Sequence, residues 1–138
     1  MYKTILLTLD GTPTDRAMIA HVKPLAKLGD GRVVLFHVAD GWAARTYGSD
    51  AVSPEIKEDT EYLDKIRKEF CDAGITAVYE LAYGDPATEI IKWVRHNHCD
   101  LVAMSTHGHR FFADLFFGTT ASRVQHSISV PVLLLRAK

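Results

Sequence analysis

Between residues 105 and 120 the chain concentrates groups able to handle an anion: Ser105, His107, Gly108, His109, Gly118, Thr119 and Thr120. A short apolar run, residues 100–104, precedes this stretch, and a segment with helical apolar spacing follows from Ala121. Strand, glycine-containing loop, glycine-threonine and helix is an order suited to phosphate. Glycine lets the backbone approach an anion, and the first turn of a helix offers unpaired N–H groups to it. A second candidate is Asp10, at the end of the first apolar run. Its carboxylate can accept from ribose hydroxyls or an adenine amine, or hold a metal. No Walker A sequence is present and no GxGxxG follows the first strand, which argues against a P-loop NTPase and a dinucleotide-binding enzyme. No Ser/His/Asp or Cys/His arrangement stands out, and no group can be named to position an attacking water, so no catalytic residue is assigned. The alternating pairs His96/His98 and His107/His109 lack cysteine or carboxylate partners at zinc-site spacing. A metal held by the protein alone is not expected.

These groups need a scaffold. The 138 residues suit one domain over 1–138. Hydrophobic residues at 47% and charged residues at 24% are ordinary for a folded, water-soluble chain. A net charge of -1 gives no electrostatic case for nucleic acid or an anionic membrane, and no apolar run is long enough to span a bilayer. The apolar N-terminus runs straight into Asp10 and Gly11 without a cleavage-site pattern, so it reads as a strand. Cys71 and Cys99 fit no CxxC pattern and read as free core thiols, which makes the cytoplasm the expected compartment.

Residues 3–10 form an apolar run of the kind expected for a strand covered on both faces. Thr12 or Thr14 can cap a helix over 15–28, where Met18, Val22 and Leu25 recur at helical spacing, and Pro24 should bend it. A second buried strand spans 32–39. Residues 40–52 lack periodicity and read as a loop in which Trp42 and Tyr47 pack on the surface or cover a ligand. Ser53 and Pro54 open a long helix to about residue 73, with Ile56, Leu63, Ile66 and Phe70 inward and charges at four-residue spacing outward. Residues 75–82 are a less uniformly apolar strand, nearer a sheet edge. Asp85 caps a helix beginning at Pro86. Strand 100–105, helix 119–127 and strand 130–135 complete the chain.

This alternation specifies an α/β fold: an open, mostly parallel five-stranded sheet with helices on both faces. With strand one central and flanked by strands two and four, the order is 3-2-1-4-5, a Rossmann-like arrangement. Ligands of such sheets bind beyond the carboxyl ends of the strands where the order reverses. That places Asp10 and the 105–120 stretch on opposite walls of one crevice.

The chain resembles the universal stress protein family over its whole length. The resemblance is carried by residues 5–12, 34–38, 84–86, 100–108, 118–119 and 130–135. ATP-binding members carry G-x-x-G, nine residues, then G-S or G-T. Here that frame falls on Ser105 to Gly108, His109 to Phe117, and Gly118-Thr119; spacing, two glycines and the hydroxyl are kept, and Ser105 replaces the first glycine. The resemblance implies ATP with Mg²⁺ shared among its phosphates. It puts Thr8 and Met104 around the base, Val38 against the adenine through its backbone, and Asp10 at the ribose or adenine end. Ser105 would lie against the ribose, and Gly108, His109, Gly118, Thr119 and Thr120 around the phosphates, with His107 in the same nucleotide site. It also implies a homodimer in which the last strand pairs with its copy through Val130, Val132, Leu134 and Arg136. An open apolar edge would otherwise be an aggregation hazard. The implied function is a small stress-response nucleotide sensor with little or no hydrolysis. The alternative is an interaction protein that binds no nucleotide and works on an unidentified protein partner through its dimer surface or the Phe111, Phe112, Phe116 and Phe117 loop.

Overall fold

A computed structural model describes residues 2–39, 54–106 and 119–136, with the side chains of 54–56 and 119 outside the description. Five strands and four helices alternate through the described residues: β1 (Thr4–Thr8), α1 (Asp15–Leu28), β2 (Arg32–Ala39), α2 (Pro54–Asp72), β3 (Ala77–Tyr83), α3 (Pro86–His96), β4 (Leu101–Ser105), α4 (Thr119–Ser127) and β5 (Val132–Leu135). The strands form one sheet in the order β3-β2-β1-β4-β5, and the pairs are parallel. Strand order and helix placement follow the expected α/β pattern.

The sheet separates two apolar layers. On one face Ile5, Leu7, Val33 and Leu35 pack with Met18 and Val22 of α1 and Leu63, Ile66 and Phe70 of α2. On the other, Leu6, Val34, Phe36, Val102 and Met104 pack with Ile90 and Val94 of α3 and Ala121 and Val124 of α4. Both faces of β1, β2 and β4 are therefore dry, which is why their sequences are continuous apolar runs instead of alternating ones. β3 is an edge strand with Val78 and Glu80 exposed, as its mixed composition foretold.

Several boundaries differ from the sequence reading, each because a backbone group is used elsewhere. β3 begins at Ala77, not residue 75, because the Ile75 N–H donates to Phe70 O at 3.0 Å and closes α2 beyond Gly74, whose φ is +83°. Gly31 likewise closes α1 by donating to Ala26 O at 2.8 Å. A Cβ at Gly31 would lie 2.3 Å from Tyr2 O, so close approach to β1 demands glycine there. β1 starts at Thr4, and Asp100 lies just before β4, because the Asp100 carboxylate accepts from the Lys3 and Thr4 N–H groups at 2.8 Å each. Those amides, Thr4 first, hold its pKa below the usual carboxylate value. Asp85 caps α3 as expected, accepting from Thr88 N at 3.0 Å. Cys99 is buried, whereas Cys71 is exposed and not a core thiol. The 40–52 loop with Trp42 and Tyr47, and the Ser53 cap, lie outside the described residues.

Candidate functional site

The chain reverses its direction of travel across the sheet at β1, whose neighbours are β2 and β4. In doubly wound sheets the ligand position lies beyond the carboxyl ends of the strands at such a switch, here the ends of β1 and β4. Thr8 pairs in register with Phe36, and Leu7 with Ala103. Continuing those registers sets Asp10 level with Val38 and Leu9 level with Ser105. The sheet thus brings the ends of three strands, and the predicted residues on them, to one edge.

On this edge Thr8, Val38 and Met104 belong to the α3/α4 face. Val38 and Met104 are buried in that face's core with Ala87 and Ile90, and the Thr8 hydroxyl donates to Ala103 O at 3.4 Å. Ser105 is half-buried on the opposite face. Thr120 is half-buried in the first turn of α4, and Thr119 is that helix's first residue. His107, Gly108, His109 and Gly118 lie outside the described residues, as does the phenylalanine loop.

Asp10 organises the β1–α1 turn. Its Oδ1 accepts from Thr12 N at 3.0 Å and Thr12 Oγ1 at 2.5 Å. The Thr12 and Thr14 hydroxyls bond one another at 2.7 Å, and Thr14, although it holds the N-cap position, makes no side-chain cap bond. The expected threonine cap is therefore replaced. In its place Asp15, the first helical residue, turns its carboxylate back onto the loop. Oδ1 accepts from Asp10 N at 3.1 Å and Oδ2 from Gly11 N at 2.9 Å, while Tyr62 of α2 donates to Oδ2 at 2.7 Å.

Asp15 is only 2% exposed. Burial, then the charge of Asp10, push its pKa up to about 6, opposed by the hydrogen bonds from Asp10, Tyr62 and Gly11. Burial and the Asp15 hydrogen bond hold the Tyr62 hydroxyl well above its ordinary pKa. The sequence reading passed over both residues. An acid in a first helical turn is commonplace, and the one signal was the tyrosine on the inner side of α2.

His37 sits beside this cluster. Its Nδ1 donates to Leu9 O at 2.8 Å, and its Nε2 lies 3.3 Å from Asp59 Oδ2. Leu9 O and Asp59 hold both ring nitrogens of His37 within the fold. His96 and His98 do not converge: His96 Nδ1 lies 2.8 Å from Lys92 O, and His98 Nε2 lies 3.3 Å from Asp100 Oδ1. Among the described residues no cluster of three histidines, cysteines or carboxylates could hold a metal ion. A separate cavity of about 290 Å³ lies along the β3 flank, over Phe36, Leu81, Ala82 and Trp93, and includes none of the predicted residues.

A protein-family model for universal stress proteins matches residues 1–136. The chain belongs to the universal stress protein family. One family member from Methanocaldococcus jannaschii is 29% identical over 99% of this chain and 83% of its own length. One from Thermus aquaticus is also 29% identical, over 99% of this chain and all of its own. A solved structure of a second M. jannaschii universal stress protein, 26% identical, superimposes with a TM-score of 0.86 over all of this chain and 98% of that one. A family member from Archaeoglobus fulgidus, at 17% identity, shares the fold with a TM-score of 0.75 over 99% of this chain and 95% of its own.

Proposed function

We propose that this chain is one nucleotide-binding domain over residues 1–138 that takes ATP with Mg²⁺ in the crevice beyond β1 and β4, acting as a regulatory sensor with little or no hydrolysis. The observation carrying the reading is a coincidence of place. The topological switch at β1 falls beside Asp10, while the Ser105–Gly108–Gly118–Thr119 frame leads from the end of β4 into the first turn of α4.

The donor set fits such a ligand. The α4 N-terminus with Thr119 and Thr120 suits phosphates, Asp10 suits a ribose, and the ends of β2 and β4 at Val38 and Met104 suit a base. Mg²⁺ needs no all-protein cage, since it commonly shares substrate phosphates. Relatives support the ligand class: one universal stress protein with this fold is described in complex with cAMP, and one from A. fulgidus in complex with dAMP.

The β5 edge is the proposed homodimer seam, with Val130, Val132, Leu134 and Arg136 on it. Leu134 is 37% exposed there. No helix among the described residues is long and apolar enough to cross a membrane, and the cytoplasm is the compartment this reading assigns.

Calorimetric titration with Mg-ATP tests the reading. Heat of binding with a thermal shift is expected in the wild type, and loss of both in Gly118→Val, whose branched side chain would block the phosphate approach. No heat and no shift at millimolar ATP would sink it. A second reading, an interaction protein without nucleotide, is favoured by Ser105 in place of the frame's first glycine. Nucleotide carried through purification would count against it.

A further inference from the structure

Asp15 is not among the residues that would touch a nucleotide, yet its carboxylate collects the donors that shape the turn bearing Asp10. Asp10 N–H and Gly11 N–H are consecutive amides, and they end on the two oxygens of one side chain at 3.1 and 2.9 Å. Gly11 has φ +81°, a left-handed conformation that leaves the turn free to sample alternatives unless it is tethered. Fixing both amides on one buried carboxylate removes that freedom. Tyr62 O–H, at 2.7 Å from Oδ2, holds the carboxylate itself in orientation.

The tether does not stop at the turn. Tyr62 lies one helical turn after Asp59, so both occupy one side of α2. Asp59 reaches His37, and His37 donates to Leu9 O. α2 therefore braces residues 9, 10 and 11 from two points. The other charged groups facing Asp15 are Asp10 and Arg16, and Arg16 is itself bidentate on Glu69 of α2 at 2.7 and 2.9 Å.

We propose that Asp15 and Tyr62 are positioning residues of the strand-end site: they hold the Asp10–Gly11 turn in the geometry that presents the Asp10 carboxylate to a nucleotide, and they tie the affinity of that site to the docking of α2. The proposal rests on the nucleotide reading above. A purely structural buried carboxylate would stabilise the fold and leave ligand affinity alone, so stability by itself does not distinguish the two.

The test uses the full chain, ¹⁵N-labelled, as wild type and as Tyr62→Phe, which keeps the ring volume and removes the donor. Amide spectra and calorimetry with Mg-ATP are recorded on both. The Asp10 and Gly11 resonances are expected to shift together in the variant, with Kd weaker by roughly tenfold, the lower end of what losing a hydrogen bond to a charged group costs. A lower melting temperature with those two amides and Kd unchanged would overturn the proposal.

Should Tyr62→Phe fail to fold, the wild-type amides decide. Asp10 and Gly11 N–H protected together from hydrogen exchange supports the tether, and exchange of either at the rate of a solvent-exposed turn amide refutes it. A wild type that takes up no nucleotide overturns the ligand half of the proposal along with the nucleotide reading. The amide shifts then decide the turn-positioning half alone, in either direction.

Discussion

Replacing Asp15 by asparagine tests whether a charge is held inside this fold at neutral pH. The folded protein raises the Asp15 pKa from 3.8 to about 6, so between those values the native state binds a proton that the unfolded chain has released. Stability contributed by this residue is therefore greatest at low pH and falls as pH rises through the window, levelling off above about 6. A rise of about 2 units is worth about 3 kcal/mol across the whole window, at 1.36 kcal/mol per unit. Between pH 4.5 and 7, where the chain remains easier to handle, the expected fall is about 2 kcal/mol.

Asparagine has the same shape and no titration, so the difference in unfolding free energy, wild type minus Asp15→Asn, should decline by about that amount over the same interval. At pH 7 asparagine also turns an N–H₂ toward donors that the carboxylate oxygens satisfied. It therefore loses one or more charge-assisted hydrogen bonds while avoiding the cost of burying charge. Urea unfolding of both proteins at four or five pH values supplies the difference directly. Parallel pH profiles would refute the reasoning, because they would mean that Asp15 titrates alike in the folded and unfolded chains.

Two further predictions follow from backbone and edge. Gly31→Ala forces a Cβ to within 2.3 Å of Tyr2 O. The start of β1 must move, at a cost of about 1–3 kcal/mol by analogy with overpacked cores, and a urea midpoint equal to that of the wild type would contradict the close approach. Leu134→Lys places a charge on the exposed edge strand, and sedimentation should show a dimer in the wild type and a monomer in the variant. A wild type that is monomeric at tens of micromolar removes the proposed seam.

Much of the scaffold was legible because its signals are local. The α1 segment is bounded by Asp15 and Leu28 as its apolar spacing implied, and α4 runs from Thr119 to Ser127 likewise. Asp85 before Pro86 announced the α3 cap, and the structure uses it. Errors arose where a backbone group had a choice of partner. Ile75 looks like strand by type, but its amide closes α2. The two threonines before α1 look like caps, but their hydroxyls turn to Asp10 and to each other. Cys71 looked like a core thiol by residue type and lies on the outside of α2.

By itself the sequence determined the α/β class, the family and the places of Asp10 and Ser105 at the ends of β1 and β4. Apolar periodicity, turn residues and motif spacing are properties of neighbours along the chain. Only the tertiary structure decided that Asp15 is the buried centre of the Asp10 turn. Nothing within four residues distinguishes it from an ordinary solvent-exposed acid in a first helical turn. Its third hydrogen bond comes from Tyr62, 47 positions away, which reaches it only once α2 packs across the same face of the sheet, and its pKa is raised by the burial that tertiary packing brings, against the pull of that bond.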